Sequence, residues 1–210
     1  CIIFGLTLII LYFIKLNFKI NLSYSFIFLI TLLLSCFFLS KSLPSKFDED
    51  SINNQVFKIP TNLIDIHRQY IWGFSLKKII EKPLLGYGPD TSNFINDSQI
   101  IIGHESTGTM PFIPSHPHNF FIELLLDTGF TGALLFSFFI ICLNLQIFKY
   151  ANIKEKYYLI FFNGFFWGAS LVNFSFWLGW WQASYFFILS LIFSQIFIRK
   201  KLLNLILNFF

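Results

Sequence analysis

Four stretches of this 210-residue chain, residues 22–39, 129–148, 157–172 and 178–198, contain no charged side chain. Their lengths lie near the roughly 20 apolar residues that a helix needs to cross the hydrocarbon core of a bilayer. Inside such a core every backbone N–H and C=O must be satisfied within the segment, so these runs are expected to be helices. Composition points the same way. Charged residues make up 12% of the chain, against about 25% in soluble domains, and 31 residues are Phe. The expected fold is all-α: a multi-pass transmembrane helical bundle.

A further apolar run, residues 1–14, is too short to span alone and starts with Cys1 instead of Met. It reads as the truncated end of a helix, and the chain as the C-terminal fragment of a longer multi-pass protein. The run lacks a basic leader and a small-residue cleavage site, so it does not read as a signal peptide. The expected organisation is two membrane segments in 1–39, a long polar loop over 40–118, three segments in 119–198 and a basic tail over 199–210.

Lys15 and Lys19, then Lys149, Lys154 and Lys156, then Arg199, Lys200 and Lys201 fall on one side if the spans alternate, whereas residues 173–177 carry no Lys or Arg. Positive residues stay inside, so the 40–118 loop is expected outside, which in a bacterium means periplasmic. The net charge of +4 is accounted for by these flanks and gives no reason to expect nucleic acid. Trp177, Trp180 and Trp181 gather at the outer end of the last run. Anchoring at the membrane interface is a plainer use for them than stacking on a sugar. Three dispersed cysteines without CxxC support neither a disulfide framework nor a zinc knuckle.

Within the loop, residues 62–82 are expected to form a helix capped by Asn62 and ended by Pro83 and Gly86. Trp72, Leu76, Ile79 and Ile80 share one face, with Lys77, Lys78, Glu81 and Lys82 opposite. Such a helix would lie on the outer membrane surface or roof the spans. Arg68 stands on the border of that face. The chain uses Lys 13 times and Arg only as Arg68 and Arg199. An arginine here suits a diphosphate, which its planar fork can grip; a surface pairing with Asp65 is the competing use. Gly86-Tyr87-Gly88 is a tight turn whose N–H groups could approach an anion. Residues 96–113 show no periodicity and read as a flap.

Ionisable groups crowd the border of the third span: His116, His118, Asn119, Glu123 and Asp127. Charges at such a border are costly and usually functional. Asn119, Glu123 and Asp127, at i, i+4 and i+8, form a stripe expected to face protein or a wet cavity, and Gly129 and Gly132 allow a kink below it. A zinc site built on His116, His118 and an Asp is weighed and set aside, because there is no HExxH or helical His pair. A neutral imidazole that accepts a hydroxyl proton is the simpler use.

Two blocks, Arg68-x-x-x-Trp72 through Pro83-Leu84-Leu85-Gly86-Tyr87-Gly88-Pro89 and His116-Pro117-His118-Asn119 through Asp127-Thr128-Gly129-Phe130-Thr131-Gly132, resemble the O-antigen ligase and O-antigen polymerase family. The resemblance spans roughly residues 60–190. It implies a bacterial inner-membrane glycan transferase of GT-C-like helical architecture, with neither metal nor other cofactor. The implied donor is an undecaprenyl-diphosphate-linked glycan. The implied acceptor is a hydroxyl of lipid A–core or of a growing glycan. Arg68 matches the family's loop arginine, at the leaving diphosphate, and His118 its histidine, at the acceptor hydroxyl. Asn119 and Asp127 match positioning residues, Asp127 standing where Glu is commoner. His116, Glu123, Gly86 and Gly88 complete the expected substrate-binding set.

Ligase and polymerase remain open alternatives. A polysaccharide flippase or transporter is a reading from another class, but it would place ionisable groups inside several spans, and these runs hold none. A purely structural subunit leaves the Arg68 and His118 blocks unexplained.

Overall fold

A computed structural model describes residues 41–44, 59–104, 108–171 and 174–207. The two segments expected in 1–39 and the acidic run at Asp48 lie outside those residues. Among the described residues the chain is mostly helical. It has two parts, a loop region with its own core and a helical hairpin-and-return.

The loop region is built around α1, Ile66–Glu81. Its cap is Asp65, not Asn62: the Asp65 carboxylate accepts the His67 N–H at 3.0 Å. Such a cap satisfies one of the free N–H groups of a first turn. Asn62 instead lies exposed in the preceding turn. The helix is buried over most of its circumference, from Gln69 to Leu76 and at Ile79, so it is a core helix and not one lying flat on a surface. Ile80, expected on the apolar face, is exposed, and Lys78 is largely covered, paired with Glu81 at 3.1 Å. Gln69 donates to the carbonyls of Ile59 and Ile64 and so folds the incoming segment back onto the helix.

Within 96–113, expected to be a flap without periodicity, the described residues include two paired strands. Strands β1, Ile101–His104, and β2, Gly108–Pro111, pair antiparallel with Ile102 opposite Met110. An all-α fold is therefore corrected by this one small sheet. Its strands are four residues each, too short for an alternation to stand out. Ile102, Phe112 and Ile113 bury fully or nearly so, and Phe112 stacks on Phe74 of α1 with ring centroids 4.9 Å apart.

Helix α2, Phe120–Tyr150, is followed by α3, Ile153–Ser170, and α4, Gly179–Leu207. Of these, α2 and residues Gly179–Leu202 of α4 are long and apolar enough to cross a membrane. The shorter α3, expected as a span over 157–172, has Lys154, Glu155 and Lys156 in its first turn. The basic residues from Arg199 do not form a separate tail, since α4 continues through them. The three helices share a core of Ile140, Ile147, Leu159, Phe166, Tyr185, Leu189 and Ile196.

Neutral polar groups cross that core. Asn144 donates to the Tyr185 hydroxyl, Asn163 donates to the Asn144 carbonyl oxygen, and Tyr185 donates to the Asn163 oxygen, each at 2.8 Å. In a membrane such interhelical bonds contribute on the order of 0.6 kcal/mol each. At one end Arg199 grips Glu155 through Nε and Nη2, both at 2.9 Å, which gathers the basic residues around 149–156 and 199–201 at that end. The loop region sits at the other.

Candidate functional site

Gly129 interrupts α2 with φ 64° and ψ −170°. A break of this kind frees two carbonyls before it and two N–H groups after it, all in need of partners. The segment after α1 supplies all four. Tyr87 and Gly88 N–H donate to the carbonyls of Leu126 and Asp127, both at 2.9 Å, while Phe130 and Thr131 N–H donate to those of Pro83 and Leu84, at 2.7 and 3.2 Å. Two glycines permit the approach. A Cβ on Gly86 would lie 2.5 Å from the Asp127 carbonyl carbon, and one on Gly129 2.3 Å from the Leu84 oxygen. The expected kink at Gly129 is present. The expected anion cradle is corrected: the N–H of Gly86 goes to the Lys82 carbonyl and that of Gly88 to Asp127. Gly86 and Gly88 therefore join the loop to the helix.

The stripe of Asn119, Glu123 and Asp127 faces protein, all three side chains buried. Asn119 caps α2, accepting the N–H of Phe121 and Ile122, and its Nδ2 donates to the Leu171 carbonyl at 2.8 Å. Glu123 accepts from Ser175 Oγ at 2.8 Å and from Phe176 N–H at 2.5 Å. Asp127 Oδ2 accepts the Trp177 indole N–H at 2.7 Å and the Asp90 N–H at 3.0 Å, while its buried Oδ1 has no protein partner. Three polar residues one turn apart thus hold the α3–α4 connection and the 83–90 segment against α2.

His118, directly before this stripe, adopts φ 54°, a left-handed conformation uncommon outside glycine. Its position is fixed from α1: Trp72 Nε1 donates to the Pro117 carbonyl at 2.9 Å in a buried contact. Arg68 lies one turn before Trp72 on that helix, so the two blocks separated by some 50 residues meet here. Burial lowers the His118 pKa below the ordinary 6.5, the Arg68 guanidinium lowers it further, and Asp65 opposes them. Burial and the guanidinium thus both favour the neutral imidazole.

His116 packs its ring on that of His118, centroids 4.3 Å apart. Its Nδ1 is 2.9 Å from Ser115 Oγ and its Nε2 is buried with no protein partner. Burial and His118 drive its pKa down to about 4, with Asp90 opposing. Asp90 itself has φ 55°. It was absent from the expected set, as were Trp72's N–H and Trp177, and only the fold reveals them. No three His, Cys, Asp or Glu side chains form a metal-binding group among the described residues.

Comparison with known proteins adds to this geometry. The family model described as O-Antigen ligase matches residues 1–137, reaching further toward the N-terminus than the resemblance read over 60–190 and leaving α3 and α4 outside. A Rickettsia conorii protein named "Putative polysaccharide ligase RC0486" is 35% identical over 133 residues, 60% of this chain and 30% of its own length. A Rickettsia typhi protein of the same description is 33% identical over 132 residues, 31% of its length. The ComP-specific O-oligosaccharyltransferase of Acinetobacter baylyi is 27% identical over 139 residues, 66% of this chain and 22% of that protein. The chain thus matches less than a third of the length of these relatives. No solved structure matches it. With a family match over well more than half of its residues, the chain belongs to the O-antigen ligase family.

Proposed function

We propose that the chain carries the acceptor-activating part of a membrane glycan transferase. It would move an oligo- or polysaccharide from an undecaprenyl-diphosphate donor to an acceptor hydroxyl on the outer face of the bacterial inner membrane. The observation that carries this reading is the meeting of Arg68 and His118, held by the Trp72–Pro117 bond. A guanidinium suits the diphosphate, whose negative charge grows as the glycosidic oxygen departs. A neutral imidazole suits the acceptor hydroxyl, whose proton it takes as the new bond forms. Burial and the neighbouring cation both favour that neutral form. Lys and Arg gathered at the far end of the bundle support the outward orientation of the loop. The names of the relatives, polysaccharide ligase and O-oligosaccharyltransferase, agree with glycan transfer.

The test is complementation of a strain lacking the full gene. His118→Ala and Arg68→Ala should each abolish surface polysaccharide on gels while the protein still accumulates in membranes. Near-normal polysaccharide from both variants would remove the reading. The pattern in the deletion strain separates acceptors: loss of all long chains from the core marks a ligase, and a single-repeat product marks a polymerase.

A further inference from the structure

The three tryptophans at the outer end of α4 are not equivalent. Trp181 is half-buried and engaged on every side: its N–H donates to Ser170 Oγ at 2.8 Å, and its ring stacks between Phe174 and Phe166 at 3.7 and 4.4 Å. Trp180 is 60% exposed and has the amphipathic freedom of an interface anchor. Trp177 differs from both. It keeps 37% of its surface exposed, yet its N–H is held at 2.7 Å by the buried Asp127 carboxylate.

An interface anchor presents its N–H to headgroups and water while its ring sits in lipid. Trp177 has turned that N–H inward, and Phe176 meets its ring edge-to-face at 4.9 Å, so the indole is held in one orientation while the residue stays partly exposed. Its partner ties it to the site. The Asp127 oxygen that accepts Trp177 also accepts the Asp90 N–H, and Asp90's charge bears on His116, whose ring lies against His118. The other end of the same connection is fastened at Leu171 by Asn119, the residue next to His118. The α3–α4 connection therefore runs along the Asn119–Asp127 stripe, fastened beside His118 at Leu171 and about two helical turns further on at Trp177, with one partly open indole at that second end.

We infer that the Trp177 indole is a carbohydrate-stacking subsite, taking the C–H face of a pyranose ring of the transferred or accepting glycan at the Asp127 end of the stripe that begins next to His118. The inference rests on the glycan-transfer reading for its ligand class. An exposed indole face offers area and an electron-rich surface to aliphatic C–H groups. Fixing the ring beforehand reduces the ordering cost of binding.

The full gene product, purified in detergent, is titrated with polysaccharide released by mild acid from cells that carry the gene. Saturation-transfer NMR reads binding, and transfer kinetics are recorded in parallel. Trp177→Ala should weaken binding and raise KM by about tenfold, the scale of one stacked ring, with kcat within about twofold of the parent. Trp177→Phe keeps a ring but loses the N–H, and should weaken binding about threefold. Trp180→Ala should leave binding unchanged. Size-exclusion profiles matching the parent establish that the variants fold. Unchanged binding in Trp177→Ala, or a fall in kcat alone, overturns the inference, as does a parent that binds no glycan. Should the parent bind glycan without transferring it, the transfer reading fails, and the response to Trp177→Ala still decides the subsite.

Discussion

The two halves of α2 use polar groups in opposite ways. Before Gly129 the helix buries two carboxylates, Glu123 and Asp127, and gives them backbone, hydroxyl and indole donors from elements some 40 to 50 residues away. After Gly129, the polar side chain bonded to the other helices is the neutral Asn144, which meets Asn163 and Tyr185 beside the apolar Ile140 and Ile147. A buried carboxyl group needs several donors to offset its lost hydration, and here the α3–α4 connection brings three of them and the 83–90 segment the fourth. A neutral amide needs far less. The two carboxyl groups stand where donors converge, and Asn144 in the other half is satisfied by the helices alone. That division agrees with the proposed chemistry at the His118 end of α2 and with a scaffolding use of its other half.

The division can be broken most severely at the pair itself. His118→Ala should reduce transfer by about 10²–10⁴-fold, the range of positioned general bases, with Arg68→Ala comparably damaging and neither lowering protein yield. Next comes the joint between the halves. Gly129→Leu places a side chain at φ 64° and against the Leu84 carbonyl. It should destabilise the loop docking by more than the roughly 1–3 kcal/mol of such backbone strain, seen as a lower melting temperature and protease sensitivity near residue 85. Trp72→Phe removes the N–H that holds Pro117 together with part of a buried ring. It should cost about 1–3 kcal/mol and slow transfer without changing the bundle, which detergent-resistant protease fragments can report. The smallest effect belongs to the scaffold. Asn163→Leu should lower thermal stability by on the order of 1 kcal/mol and leave transfer within about twofold. A large loss of transfer from Asn163→Leu would erase the proposed division.

Much of this was legible in the chain. The charge-free runs mark the long helices, because lipid imposes one rule on every residue of a span. The i, i+4, i+8 stripe and the Gly129 kink follow from helical spacing and from glycine's tolerance of positive φ. The pairing of Arg68 with His118 came through family resemblance, and the fold adds its mechanical cause, the Trp72 indole. What stayed hidden depends on contacts distant in sequence. Asp65 outcompetes Asn62 as cap by one turn, a margin below what residue preference resolves. The hairpin has four-residue strands whose pairing depends on packing against Phe74. Gly86 and Gly88 look alike as an anion turn or as a docking joint until Leu126 and Asp127 are seen to accept the N–H groups of Tyr87 and Gly88. Asp90 and Trp177 acquire meaning only through the shared Asp127 oxygen.

The central claim is that Arg68 and a neutral His118 form one electrostatic unit. NMR titration of the His118 imidazole in the full gene product tests it most directly. A cation beside a histidine disfavours its charged form, so His118 should titrate below 6.5. In Arg68→Gln, with the cation gone, its pKa should rise, though burial will still hold it below the ordinary value. The neutral base would then be lost at a higher pH than in the parent. A His118 that titrates at or above 6.5, and does so identically in both proteins, would contradict the account.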